Sequence, residues 1–379
     1  MREYLLVMLT AAATTYLVAG PWRRIAVRSG ALAPVRDRDV HTHPMPYLGG
    51  MAMLCGVAAA FLLADAMPWL GEHATVTRDA RGILLAGLVI CLVGAVDDVI
   101  DLPVIAKVFG EVLAAGVAVQ QGVRLYWVSL PNSIYLLDPI TSTLITVVFI
   151  FICVNAVNLV DGLDGLSSGV VGMGASAMFC YTYFLAHGHQ LVVATTASLV
   201  TATITGICLG FLPHNFHPAR MFMGDSGSLL LGLLLACSTI SFTGQMDSTL
   251  LQGTATGAGF LPAYLPLILP IAIMFIPLLD SVMAYVRRTL RGEWWFKPDK
   301  QHLHHRLLQL GHSQTKAVLL MYLWTAVISY GVMGIGLFRN RLIWIGVVVA
   351  LLVAAVLTWA PWLRRNVSIE VPTTDDAAA

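Results

Sequence analysis

Apolar runs of about 15–25 residues alternate with short polar loops along almost the whole chain. One crossing of the bilayer hydrocarbon needs about 20 apolar residues in a helix. The pattern therefore predicts an all-α polytopic membrane protein with about eleven transmembrane helices, near 3–20, 46–66, 81–99, 104–121, 140–158, 166–186, 191–212, 227–243, 262–286, 317–337 and 342–360. The longest loop, 287–316, is also the most polar. Residues 1–365 read as a single integral-membrane domain, and 366–379, acidic at its end, as a disordered tail.

Composition narrows this further. Of 379 residues, 58% are hydrophobic and 11% charged, which excludes a soluble domain with a large core. A net charge of +1 gives no footprint for nucleic acid. The six cysteines lie scattered in apolar segments without a CxxC pair, so neither a disulfide framework nor a zinc ribbon is indicated. Met1–Gly20 is apolar for too long to read as a cleavable signal and is taken as the first span.

Charge sets the expected orientation. With the N-terminus outside, the inner segments hold 16 Lys and Arg residues and the outer segments 6. This positive-inside bias places the C-terminus in the cytosol. Four polar stretches then fall on the cytosolic side, whereas the outer loops carry only sparse polar groups. A transporter needs a pathway open to both sides, so the one-sided pattern suits an enzyme drawing a soluble substrate from the cytosol. The intramembrane acids outside these stretches, Glu111 and Asp280, are expected near helix ends.

The first stretch, NAVNLVDGLDGL, follows an apolar run and sets Asn155, Asn158, Asp161 and Asp164 three residues apart, a spacing that puts neighbours on one helix face. Gly162 and Gly165 loosen the backbone beside the carboxylates. Amides and carboxylates at the mouth of an apolar helix suit a hard cation such as Mg²⁺; a polar helix C-cap is the plainer reading. The second stretch, AVDDVIDLP, carries Asp97, Asp98 and Asp101 at the end of the third span, with Asp97 and Asp101 expected on one face. Three carboxylates at the bilayer centre would cost about 8–10 kcal/mol on insertion scales, which puts them at the interface or in a wet cleft. The plainer reading is solvated helix-end acids.

The third stretch, MFMGDSGSLLLG, flanks Asp225 with glycines and opens a span, so backbone N–H groups and a positive helix end lie beside the carboxylate. A simple N-cap is the alternative. Phe222 offers a flat face for a base. The fourth, DKQHLHHRLLQLGHS, groups His302, His304, His305 and Arg306 with Lys297 and Lys300 into a donor-rich loop suited to phosphates, or to anionic lipid head groups. It lacks HExxH and nearby cysteines, so zinc is not indicated. His41, His43 and PYLGG complete this side.

In order and separated by the right number of spans, DDVIDL, NAVNLVDGLDGL, MGDSGS and HLHH resemble the polyprenyl-phosphate N-acetylhexosamine-1-phosphate transferase family, over about Pro46–Tyr322. The resemblance implies transfer of a sugar-1-phosphate from a UDP-sugar to membrane polyprenyl phosphate with release of UMP, dependent on Mg²⁺ or Mn²⁺. It places Asp225 and Asn158 on the metal. Asp97 and Asp98 orient or deprotonate the lipid phosphate, and Lys107 holds it. Phe222 stacks on uracil, with Asp101 near the base. His302, His304, His305 and Arg306 meet the pyrophosphate or sugar, and Asn155, Asp161 and Asp164 share the cleft. HLHHRLLQLGHSQTKAVLLMY resembles the WecA/TagO branch, which implies UDP-GlcNAc as donor and the first membrane step of a cell-envelope polysaccharide. The implied setting is the cell membrane with the site on its cytosolic face; a homodimer is left open.

The alternatives are the MraY-type reaction with a peptidoglycan precursor, a proton-coupled transporter, and a CDP-alcohol phosphotransferase. The pattern of the last does not fit LDGLSSGVVGMG after Gly162.

Overall fold

The computed structural model describes residues 1–33, 44–130, 133–189, 192–244, 272, 275–292, 303–338 and 340–367. His41, His43, Lys297, Lys300, His302, residues 368–379 of the tail expected at 366–379, and residues 262–271, 273 and 274 of the span expected at 262–286 lie outside them.

The chain is almost entirely helical. α1 (Arg2–Ser29) ends on Gly30, whose φ of 76° lets the backbone turn in the left-handed region. Two short strands, β1 (Leu32–Ala33) and β2 (Met45–Pro46), pair antiparallel with Leu32 opposite Pro46. α2 (Gly49–Ala66), the short α3 (Pro68–Glu72), α4 (Ala74–Ile100) and α5 (Val104–Gln120) follow. A hairpin of β3 (Trp127–Leu130) and β4 (Ser133–Leu136) leads into α6 (Pro139–Val160). Asp138 caps α6 by accepting from the N–H groups of Ile140 and Thr141, and Pro139 occupies the first turn, where its missing N–H is no loss.

α7 (Leu166–His189), α8 (Val192–Asn215), α9 (Gly224–Gly244), α10 (Phe275–Leu290), α11 (Leu303–Gln309), α12 (Gln314–Leu337) and α13 (Arg341–Val367) complete the described chain. Among the described residues, eight helices are long and apolar enough to cross a membrane: α1, α2, α4, α6, α8, α9, α12 and α13. α5 and α7, both expected as spans, fall outside that set; α5 has only 17 residues.

Burial orders these helices. α9 is buried along its apolar run at the centre, against α2, α4, α6 and α8. α13 faces outward along Leu342, Ile345, Leu352 and Val356, as a lipid-facing helix does. Glycines allow the closest approaches. A Cβ on Gly50 of α2 would overlap the backbone of Ser226 and Gly227, and one on Gly94 of α4 the backbone of Asp225 and Ser226. Small residues at helix crossings replace the water-driven packing that lipid cannot supply. Here they draw α2 and α4 onto the start of α9, where the polar stretches meet.

Candidate active site

Four helix ends converge at one end of the bundle: the end of α4, the start of α5, the end of α6 and the start of α9. Gly224, at φ 68°, turns the chain into α9 with its first N–H groups exposed toward α4. Asp98 satisfies them. Its Oδ1 accepts from Asp225 N at 2.7 Å, and its Oδ2 from Ser226 Oγ at 2.9 Å and Ser226 N at 3.3 Å. A carboxylate on a helix N-terminus gains both charge-assisted hydrogen bonds and the dipole. Both oxygens of Asp98 are thereby engaged in holding Asp225 in place.

Asp225 is gripped from two sides. Asn158 Nδ2 donates to its Oδ1 at 2.9 Å and to Ser228 Oγ at 2.9 Å, while the Lys107 ammonium pairs with its Oδ2. Lys107 also reaches Asp97 Oδ2 at 3.1 Å, and Asp97 Oδ1 accepts from Leu102 N at 2.7 Å just past the end of α4. Asp97, Asp98, Asp101 and Asp225 line a cleft of about 450 Å³ together with Gly30, Leu32, Tyr47, Val99 and Ile100. Val99 and Ile100 are exposed, so an apolar edge borders the carboxylates.

The remaining expected residues divide. Asp101 stands exposed at the end of α4 with φ 50°. The chain has left the helix there, so the expectation that it shares a helical face with Asp97 is corrected. α6 likewise ends at Val160, which confines the three-residue series to Asn155 and Asn158. Asp161 follows at the C-cap; burial, with Asp225, Asp98 and Asp164 nearby, pushes its carboxyl up to about 8. Asp164 turns to the α8–α9 loop, accepting from Ala219 N at 3.2 Å and meeting His217 Nδ1 at 2.8 Å. Asn155 points to Glu111, not into the cleft.

Phe222 sits 6.3 Å from the Tyr47 ring, centroid to centroid, and its backbone bonds to Pro46 and Gly49 zip the two loops together. His304, His305 and Arg306 lie on α11, with Arg306 exposed. Leu307 of that helix is buried with Val160, Leu163 and Leu166, which sets α11 beside the Asp161–Asp164 turn.

Ser226, Ser228, Glu111, Asn215 and His217 also belong to this assembly. The two serines are the hydroxyl residues of MGDSGS. Asn215, which binds Gly165 N at 3.0 Å and Met221 O at 3.1 Å, had no sequence signal. Glu111 does not lie near a helix end as expected: it is 2% exposed in the middle of α5, one turn after Lys107.

The fit to a divalent cation follows from these donors. Among the described residues, no group of three or more His, Cys, Asp or Glu side chains forms a metal cage. The cleft instead offers carboxylate and amide oxygens, with one ammonium, that of Lys107, paired to Asp97 and Asp225. Mg²⁺ is commonly held by one or two carboxylates, with water and substrate phosphates completing its shell, so the residues fit that ion.

The fold and cleft thus define a polytopic membrane protein with an oxygen-rich polar site at one end of its helical bundle. The model of Glycosyl transferase family 4 matches residues 80–243. A decaprenyl-phosphate N-acetylglucosaminephosphotransferase of Mycobacterium tuberculosis is 41% identical, over 99% of this chain and 93% of the relative. A probable undecaprenyl-phosphate N-acetylglucosaminyl 1-phosphate transferase of Bacillus subtilis is 32% identical over 82% of this chain and 78% of its own. The undecaprenyl-phosphate alpha-N-acetylglucosaminyl 1-phosphate transferase of Escherichia coli K12 is 27% identical over 81% and 77%. The chain belongs to the polyprenyl-phosphate N-acetylhexosamine-1-phosphate transferase family.

Proposed function

We propose that this protein transfers N-acetylglucosamine-1-phosphate from UDP-GlcNAc to a membrane polyprenyl phosphate, with Mg²⁺ or Mn²⁺, at the cytosolic face of the cell membrane. The relatives' names support the sugar and the lipid acceptor. The observation that carries the reading is the junction of Lys107 with Asp97 and Asp225 at a cleft whose edge, Val99 and Ile100, is apolar and exposed. A lipid phosphate needs a cation in the cleft and hydrocarbon beside it.

In the reaction, an oxygen of the acceptor phosphate attacks the sugar-bearing phosphorus of the donor. The bond to the bridging oxygen of the UMP moiety breaks, a lipid-linked diphosphate forms and UMP leaves. Such transfers require positioning and charge neutralisation more than covalent help. A divalent cation, when bound, neutralises the diphosphate charge. Lys107 holds the acceptor phosphate. Asp98 keeps the start of α9 and Asp225 in register, and Asn158 orients the Asp225 carboxylate. Asp97 anchors Lys107. Arg306, exposed on α11 beside the Asp161 turn, meets the charge of the donor, with His304 and His305 assigned to the same task, and Phe222 takes the uracil.

The test is a membrane assay with labelled UDP-GlcNAc and polyprenyl phosphate, scored for lipid-linked product and UMP. Product from UDP-MurNAc-pentapeptide and none from UDP-GlcNAc would move the protein to the MraY-type reaction. For orientation, single cysteines in a cysteine-free background at exposed Arg291 and Tyr135 separate the faces. An impermeant thiol reagent applied to intact cells should label position 135 and spare 291.

A further inference from the structure

Glu111 is a buried carboxylate for which the proposed transfer has no role. It is 2% exposed, on a helix whose other face shows Ile105, Phe109 and Leu113 to the outside. An ionisable side chain at such depth persists where it is partnered and used. Its partner is Asn155 of α6, whose Nδ2 donates to Glu111 Oε2 at 2.6 Å and to the Phe151 carbonyl at 3.0 Å. Both amide protons of Asn155 are spent on these bonds, so it has no donor left for a phosphate.

Lys107 precedes Glu111 by one helical turn on the same face, and the charges of Lys107, Asp97 and Asp225 all act on Glu111. The next residue back, Gly110, lies against α4: a Cβ there would come within 2.6 Å of the Val93 side chain. α5 is thus seated tightly, and Glu111 is fixed between two helices. Of the carboxylates around Lys107, Asp97 and Asp225 face the cleft, where a divalent cation would compete with the ammonium for them. Glu111 lies behind, out of a ligand's reach. Lysine is a point charge on a flexible stem and takes its direction from its counter-charges.

We infer that Glu111, held by Asn155, is a positioning residue for Lys107: a carboxylate outside the cleft that keeps the ammonium in place when a bound cation draws on Asp97 and Asp225. The inference rests on the transferase reading above and adds to it a support for the group that holds the acceptor phosphate. The competing account is that Glu111 and Asn155 only tie α5 to α6.

Glu111→Gln separates the two, because glutamine keeps the volume and the acceptor for Asn155 and removes only the charge. Steady-state UMP release and thermal unfolding of the purified full chain are the readouts, with Lys107→Met and the double variant in parallel. The expected result for Glu111→Gln is an unfolding temperature close to wild type, a kcat/KM for polyprenyl phosphate lower by about tenfold, and an unchanged KM for UDP-GlcNAc. In the Lys107→Met background the same change should add less than about twofold, since the group it positions is gone. Glu111→Asp, which keeps the charge, should restore part of the loss. Wild-type kinetics for Glu111→Gln, with losses only in Glu111→Leu and tracking its unfolding temperature, would overturn the inference and leave a helix tie. Should the wild-type protein itself make no lipid-linked product, the transferase reading falls and this inference with it.

Discussion

The two ends of the helical bundle use the same residue types to opposite effect. At one end, Glu3 caps α3 by accepting from Trp69 N and Leu70 N, Asp138 caps α6, and Asp65 pairs with Arg81 in the open. Each contact closes on itself. At the other end, Asp97, Asp98, Lys107, Asn158 and Asp225 come from four helices and share one another's partners. Charge at the first end finishes helices; at the second it is concentrated around one cleft. Convergence of partners, more than the presence of acids, sets the cleft end apart.

The sharpest way to break this contrast is Asp225→Asn. Shape survives, but Lys107 and Asn158 lose their common anion. UMP release should fall at least 100-fold, about 3 kcal/mol of transition-state stabilisation, and the requirement for Mg²⁺ should rise. Near-wild-type turnover at limiting Mg²⁺ would remove Asp225 from the reaction. Asp98→Asn should come next, through a different route. Asp98 serves three donors of α9, and an amide nitrogen in place of either oxygen faces a donor of Asp225 or Ser226. Hydrogen bonds to a charged group contribute about 1.5–3 kcal/mol. Activity should therefore fall about 10- to 100-fold together with thermal stability. A loss of activity at unchanged stability would instead make Asp98 a direct participant.

Much of this end was legible in the sequence, but unevenly. Hydropathy placed most described helices because membrane spans announce themselves by length and apolarity. DDVIDL, NAVNLVDGLDGL and MGDSGS meet in the structure through the contacts of Asp98, Asn158 and Asp225. The register inside each motif was less readable. A three-residue spacing predicts a shared face only while the helix lasts, and α6 stops at Val160. Even Asn155 and Asn158, both inside α6, diverge, one to Glu111 and the other to Asp225. Glu111 was visible as an acid one turn from Lys107. Its significance depends on a partner 44 residues away, which no local pattern carries. The same holds for Asn215, which joins the Gly165 turn to the α8–α9 loop.

At the opposite end, Asp138→Ala should leave kcat and both KM values unchanged. It removes a carboxylate that accepts from Ile140 N and Thr141 N at 3.1 Å each, so the first turn of α6 should fray. The cleft lies at the far end of that helix, beyond Asn155 and Asn158. A small drop in unfolding temperature without a kinetic change is the expected pair of readings. A kinetic change of the size seen for Asp98→Asn would mean that the two ends are coupled through α6, and the contrast between them would dissolve.

The smallest effect is expected from Arg81→Ala. Its guanidinium meets Asp65 at 3.0 Å, with the side chains 71% and 41% exposed. Water and salt screen such a pair, and holding two mobile side chains together offsets much of the attraction. Pairs of this kind contribute about 0–1 kcal/mol, and this one's exposure puts it near the bottom of that range. Lys107 forms the same kind of contact with Asp97, but half-buried and shared with Asp225, so the two cations test one variable, the number of partners that depend on each. Lys107→Ala should abolish most UMP release, whereas Arg81→Ala should match wild type in both turnover and unfolding temperature. Raising the salt should leave Arg81→Ala indistinguishable from wild type as well, since the little the pair contributes is screened away. If Arg81→Ala instead lost activity, polar groups at that end would have a part in the reaction, and a site confined to one face of the membrane would no longer describe the protein.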